Sequence, residues 1–503
     1  MDAAFWWQAT LNSLILAIGC ALIATLIALP VGWLLERCRL PGGRVFSVLY
    51  AFPYVTPPYL LAMAWIILGN PRVGWFNQLL GLEPGTGIDL YGLDGILLIE
   101  ATSYFPIVLL SFRAQLRKMD SSFEEAARLC GASRWTIFRK IHLPLLKKGI
   151  IASMIAVALT SLASFGVPAM MGAPERVYVL TTGIYALVRQ GSGDSMAEAM
   201  RVSLQLASGA LLLVLVAQAL GRGPKGWSGA KSSRPSRIDL GRYQSAAVWG
   251  LVLFWGLLVG LPLATLFASS FRNEAGSLAW TGWGLAKWRY VFTELPDFRR
   301  AATNSFVAAG LAGLIATAGG LALALLGRGT RTGQRVATQA FQGFFSLIFS
   351  VPGTVIALLL VSFWSAVPAL SLANTLGALV AAYALKYFFL SYKALEGSAS
   401  LLHPALLEAA RLAGASKART LRSIVVPLLK PALWAAFLVV WMPCLSELSM
   451  SILLQGPGTE TLGTLLFQLQ EYADRGSGAV VGTVLLAAVA LTQAAVERMT
   501  HES

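Results

Sequence analysis

Residues 125–147 read EAARLCGASRWTIFRKIHLPLLK, and residues 408–430 read EAARLAGASKARTLRSIVVPLLK. The two segments align without a gap at a constant offset of 283. Each is a short polar stretch set between long apolar ones. A charged cassette written twice inside a hydrophobic chain reads as a docking surface used twice, by a partner that comes in pairs.

Outward from the cassettes, the composition is that of a membrane protein. Apolar residues make up 56% of the chain and charged residues 13%, against about 25% charged in soluble domains. The charges cluster and leave long apolar runs, and a membrane span needs ~20 apolar residues. The runs are continuous, not alternating, which favours helices over a β-barrel, since every backbone group must be satisfied within the span. The expectation is an all-α, polytopic membrane protein. The net charge of +15 reflects basic residues in short loops, as the positive-inside rule demands. No basic and aromatic interleaving suggests a nucleic-acid groove. Cys20, Cys38, Cys130 and Cys444 stand apart, with no CxxC spacing, and read as small apolar residues. His142, His403 and His501 are too scattered for a metal site. The opening MDAAFWWQATLN has no basic n-region, so no cleaved signal peptide is expected. Trp6 and Trp7 read as interfacial anchors.

Eleven candidate spans run at about 11–35, 45–69, 91–113, 145–170, 196–220, 246–271, 303–326, 336–364, 371–393, 431–454 and 478–497. The repeat extends beyond the cassette. Asn12-Ser13 opens the first span and Asn304-Ser305 the seventh. A basic turn follows each (Arg37, Arg39, Arg44; Arg328, Arg331, Arg335), and prolines mark each next span (Pro53, Pro57, Pro58; Pro352). Two five-span repeats therefore occupy about 11–220 and 303–497. Five spans carry a chain across the membrane, so a sixth must return it if both repeats are to share one orientation; 246–271 does this. The repeats are expected to be parallel, related by an axis along the membrane normal. The loops on the cassette side hold 27 of the 39 Lys and Arg residues. Both cassettes and the C-terminus are thus expected in the cytoplasm, with the N-terminus outside. The expected organisation is a first permease repeat at 1–221, a basic Gly/Ser/Pro-rich linker at 222–245, a linking span at 246–271, an external loop at 272–302 and a second repeat at 303–503.

Each cassette predicts a short capped helix. Ser121 and Ser122 have Glu124 and Glu125 three residues on, a capping-box pattern. Pro404 suits a first helical position. Glu125 with Arg128, and Glu408 with Arg411, share a helical face. Gly131 and Gly414 suit a left-handed stop, and Pro144 and Pro427 precede the next spans. A plain connector between spans needs no particular sequence, whereas a surface that a partner covers does.

EAA, a Gly six residues after the Glu, and Ile-x-x-Pro farther on resemble the EAA motif of bacterial ATP-binding cassette importer permeases. The resemblance covers both halves. It implies that Glu125, Ala126, Ala127 and Gly131, and Glu408, Ala409, Ala410 and Gly414, form two coupling helices that dock on two ATPase subunits. It also implies a periplasmic substrate-binding protein and a place in the bacterial inner membrane. The chain has no Gly-Lys dipeptide, hence no GxxxxGK[ST] phosphate loop. ATP and Mg are therefore expected on the partner subunits, with no cofactor and no enzymatic activity on this chain.

Ionisable groups inside spans are functional candidates by default. Glu100, Lys386 and Glu447 qualify. Glu100 and Lys386 read as helix-end residues that reach water, which leaves Glu447 as the pathway candidate. The offset of 283 sets Ser164 opposite it, in TSLASFGVPAMMG, where Gly166 and Pro168 would loosen the helix. Both segments resemble the fused permeases of ferric iron importers. Relatives of that kind often carry an acid where this chain has Ser164, so the sequence departs from a paired-carboxylate pattern. Ferric iron is the expected substrate; thiamine, polyamine, phosphonate or sulfate permeases are alternatives by resemblance. Selection is expected outside, by a binding protein docked on loops including 272–300 and 455–477. The rival class is a secondary transporter driven by protons or sodium through Glu447 or Glu100. Finally, the cassettes differ between their shared Ser and Ile (RWTIFRK against KARTLRS), so substitutions of Glu125 and Glu408 should differ in severity.

Overall fold

The computed structural model describes residues 2–83, 85–119, 122–221, 237–272, 282–327, 332–471 and 474–502. Among these the chain is helical throughout, with two isolated β-bridges (Cys38 with Ile238, Arg272 with Trp283) and no strands. It divides into two compact units, Met1–Lys287 and Trp288–Ser503. Most of the linker at 222–245, part of the loop at 272–302, and Ser121, Arg328 and Arg331 lie outside the described residues.

Each unit is built around its opening helix. In the first, Ala3–Arg37 packs on Leu93–Lys118 and Leu143–Leu162. The contact face is small: Cys20, Ala21, Ala24 and Ala28 are buried there. A Cβ on Gly32 would sit 2.7 Å from the Phe112 ring. In the second, Pro296–Leu326 packs on Leu376–Leu401 and Val426–Leu445. A Cβ on Gly320 would lie 3.0 Å from the backbone nitrogen of Tyr392. Close backbone approach through small residues is how helices associate where apolar surface alone gives no driving force. The opposite faces carry exposed Leu22 and Leu26 in one unit and Leu314 and Ile315 in the other, suited to lipid.

The Asn-Ser pair does the same work in both units. Asn12 Nδ2 donates to the Tyr178 carbonyl at 2.8 Å, and Ser13 Oγ accepts the Leu180 N–H at 2.9 Å. Asn304 Nδ2 donates to the Gly458 carbonyl at 2.9 Å, and Ser305 Oγ accepts the Leu462 N–H at 2.8 Å. Each serine satisfies an N–H at the start of a helix, where no intrahelical carbonyl is available.

Among the described residues, eight helices are long and apolar enough to cross a membrane, or up to ten if each bent pair is one span. This does not confirm the expected count of eleven. The bent pairs are Gly43–Val55 with Pro58–Gly69, at 96°, and Val336–Ser350 with Gly353–Ala366, at 109°. Both breaks fall at proline (Pro57-Pro58 and Pro352), which lacks a helical donor and restricts its predecessor. The ninth expected span, 371–393, is part of the helix Leu376–Leu401. Lys386, Lys393 and Glu396 dilute its apolar character. The linking span forms as Gln244–Trp255 and Leu261–Ser269, joined by a π-helical turn, and packs within the first unit. Tyr50 donates to the Leu251 carbonyl at 2.8 Å, and Trp255 Nε1 donates to the Leu49 carbonyl at 2.7 Å.

Candidate coupling helices and membrane-depth carboxylates

The two cassettes form helices Ser122–Leu129 and Pro404–Leu412. Each ends in the same stop. Gly131 has φ +76° and Gly414 φ +74°. Ala132 N donates to the Ala127 carbonyl and Ala415 N to the Ala410 carbonyl, both at 2.9 Å. This is a Schellman closure, and its left-handed residue favours glycine. After each stop the chain re-enters a helix through a π turn, Phe138–His142 or Leu421–Val425. Pro404 opens its helix; the side chains of Pro404 and Arg411 lie outside the described residues, as does the Ser121 cap. Glu125, Ala126 and Gly131 are exposed, as are Glu408, Ala409 and Gly414; Ala127 is half-buried and Ala410 buried. Leu129 and Leu412, at equivalent positions, are each 90% exposed. Each short polar helix thus presents one leucine to water at the same position.

What holds each helix differs. The first is tied down by Glu124, the residue just before the shared motif, which is 7% exposed. Its carboxylate pairs with Arg37 at the end of the opening helix. It also lies 3.0 Å from His142 Nε2 and 3.7 Å from Arg128 Nη2. Arg37 Nη2 and His142 Nε2 are 3.0 Å apart. Trp33 packs on His142 and Phe138, with the Arg37 guanidinium 5.5 Å from its ring centroid. The second helix rests on apolar groups. Leu407 packs, partly buried, against an apolar cluster whose members include Leu395, Ala399, Leu402, Val425 and Leu429. Beside it is a cavity of about 550 Å³ lined by residues including Leu401, His403, Leu406 and Ala432. Sequence reasoning missed Glu124 because it compared the copies from Glu125 onward. One residue earlier the offset sets Glu124 against Leu407, and the contrast is visible.

At membrane depth the structure corrects the helix-end reading of both Glu100 and Lys386, the latter lying well inside Leu376–Leu401. Glu100 is not a helix-end residue reaching water: it lies inside Leu93–Lys118 and is 0% exposed. Ser161 Oγ donates to its Oε2, while Oε1 has no hydrogen-bond partner among the described residues. Ser164, Tyr104 and Cys20 are its neighbours. Lys386 is half-buried and donates to the Val351 carbonyl at 3.2 Å. Glu447 is buried and fully engaged. It accepts from Met450 N at 2.9 Å, Ser451 N at 3.1 Å and Ser451 Oγ at 3.0 Å, which caps the turn Ser451–Leu454. A Cβ on Gly353 would lie 3.3 Å from both Glu447 Oε1 and Lys386 Nζ, so the acid and the lysine share one pocket wall. The offset of 283 pairs Ser164 with Glu447 and Glu100 with Tyr383, whose hydroxyl is 2.6 Å from Ser451 Oγ. Each unit thus holds one buried carboxylate in its corresponding cluster, supplied from opposite partners.

Comparison with known proteins joins these observations. The family described as binding-protein-dependent transport system inner membrane component matches twice, at residues 28–222 and 316–499. The molybdenum transport system permease protein ModB of Escherichia coli is 31% identical over 215 residues, covering 41% of this chain and 91% of ModB. The ferric transport system permease protein FbpB of Actinobacillus pleuropneumoniae is 24% identical over 460 residues, 88% of this chain and 64% of the relative. The Fe(3+)-transport system permease protein FbpB 2 of Haemophilus influenzae is 24% identical over 465 residues, 91% of this chain and 83% of the relative. Such proteins are transport components of the membrane and not enzymes, and the match sets aside an ion-driven secondary transporter. The chain belongs to the family of binding-protein-dependent transport system inner membrane components, and it carries the family's module twice in one polypeptide.

Proposed function

We propose that this chain is the channel-forming subunit of a ferric iron importer, with two ATPase subunits docked on Ser122–Leu129 and Pro404–Leu412. The observation that carries the docking is the matched pair of exposed leucines, Leu129 and Leu412, each on a helix closed by the same glycine stop. The coupling residues are Glu125, Ala126, Ala127 and Gly131, with Glu408, Ala409, Ala410 and Gly414. Both cassettes and the C-terminus face the cytoplasm and the N-terminus faces outward, in line with loop charge. The first permease repeat is 1–221 and the second 303–503.

Iron is favoured because two relatives that span both halves of this chain are named as ferric permeases. A periplasmic protein delivers the ion, and ATP with Mg on the ATPases drives the coupling helices. Ser164 and Glu447 lie beside the route the ion takes. A molybdate importer is the second reading, favoured by the higher identity to ModB over one half.

The test is uptake into proteoliposomes that hold this chain and its ATPase, supplied with binding protein loaded with ferric ion or molybdate. ATP-dependent accumulation of iron alone is the expected result. Accumulation of molybdate alone would replace the substrate and leave the docking intact.

A further inference from the structure

We propose that Glu124 is a positioning residue that locks the first coupling helix to the end of Ala3–Arg37, and that the second coupling helix has no such lock among the described residues. The inference rests on the docking reading above and deepens it: the two ATPase strokes are transmitted unequally.

The contrast is complete along the chain. Around the first helix stand Glu124, Trp135, Phe138 and His142. At the offset of 283 their counterparts are Leu407, Ala418, Leu421 and Val425. With Asn12 aligned on Asn304, Trp33 meets Leu325 and Arg37 meets Gly329. Arg128 alone keeps its type, as Arg411; the other polar or aromatic members of the first cluster are replaced by an aliphatic residue or glycine in the second half.

The physics of the two attachments differs in kind. Glu124 bonds in fixed directions to Arg37 and His142, so a sideways push on Ser122–Leu129 must move the opening helix or separate buried charges. Separation costs far more than sliding an apolar contact. Leu407 is an aliphatic side chain with no directional bond to make. Its packing against the apolar cluster can slide, and the neighbouring cavity of about 550 Å³ leaves room for movement. The first helix is therefore a stiff lever on the opening helix, and the second a compliant one.

The test uses the full chain with its ATPase and binding protein in proteoliposomes, and reads substrate moved per ATP hydrolysed alongside ATPase co-purification. Glu124→Gln keeps the shape and loses the charge. It should retain the ATPase but lower uptake per ATP by roughly tenfold, the weight of one charge-assisted hydrogen bond. Glu124→Asp should recover most of the loss. The triple variant Arg37→Leu, Glu124→Leu, His142→Val removes the buried charges together, so it guards against misfolding caused by an orphaned partner. It should fold, keep its ATPase and remain as poorly coupled as Glu124→Gln. Wild-type uptake per ATP in either Glu124→Gln or the triple variant would overturn the proposal. So would loss of ATPase binding in Glu124→Gln, because the network would then build the docking surface and not transmit from it. Loss of ATPase from Glu125→Arg combined with Glu408→Arg is a separate outcome that tests the docking reading alone.

Discussion

The two proposed coupling helices share a backbone and differ in what lies beneath it. Their glycine stops agree within two degrees of φ, and equivalent leucines face outward to the same extent. Under the first, Glu124 joins Arg37 and His142; under the second, Leu407 joins an aliphatic cluster. The membrane-depth clusters show the same pattern of shared frame and exchanged chemistry: Glu100 has an unused oxygen, whereas Glu447 caps a turn with every acceptor engaged. The backbone stops of the two helices are duplicated, and the groups that hold each helix are not. Changes to the glycine stops should therefore act alike in the two halves, and changes whose effect depends on how firmly each helix is held should not.

The largest effect should come from the docking surface. Glu125→Arg with Glu408→Arg should abolish uptake in cells. Singly, Glu125→Arg should be the more severe, by a factor of about 30 or more against wild type, a hot-spot loss of ~2 kcal/mol. The stiffly held helix cannot shift to relieve the misfit, and equal severity would break the asymmetry. Next, Glu124→Leu leaves Arg37 buried and unpaired, at a cost of about 3–5 kcal/mol. Leu407→Ala, at a partly buried site, should cost ~2 kcal/mol. Thermal unfolding of the purified chains in detergent should rank them in that order.

Smaller still is the contrast between acids. Glu447→Gln weakens a charged cap and should cost ~1 kcal/mol. Glu100→Gln keeps an acceptor for Ser161 and should stay within about 0.5 kcal/mol of wild type. The same unfolding assay reads both, and a reversed order would show that Glu100, not Glu447, anchors its unit. Gly131→Ala and Gly414→Ala should each cost about 1 kcal/mol, and equally, because both enforce the same left-handed residue.

The smallest effect concerns one external tie of the second unit. Burial alone would raise the Glu460 carboxyl, but the backbone N–H groups of Glu460 and Gly458 and the Arg300 guanidinium hold it below the usual carboxylate range. A depressed folded value means its stabilisation is present above the unfolded carboxylate value and is lost as pH falls through the folded one. Glu460→Gln should therefore flatten the acid limb of a stability–pH curve, lowering stability slightly at neutral pH and leaving it nearly unchanged at a pH below the folded carboxyl value.

Much of this was legible in the sequence. The cassette offset and the glycine stops predicted helix ends that recur in both units, because turn chemistry is local; the Asn-Ser pairs marked the repeat, but their partners lie more than 150 residues away. Span counting was less secure. Pro57-Pro58 and Pro352 bend their spans sharply, and Leu376–Leu401 carries enough charge to blur its apolar signal. Glu100 was misjudged because its burial depends on Ser161 and Ser164 folding back against it, more than sixty residues along the chain. Glu124 was missed because its partners, Arg37 and His142, sit on other helices and share no sequence pattern with it.

The central claim is that one chain offers two separate ATPase docking helices. Native mass spectrometry of the purified permease with its ATPase tests it most directly. The account predicts two ATPase subunits on the wild-type chain, one on either single variant, Glu125→Arg or Glu408→Arg, and none on the double. Two subunits retained on the double variant would contradict it.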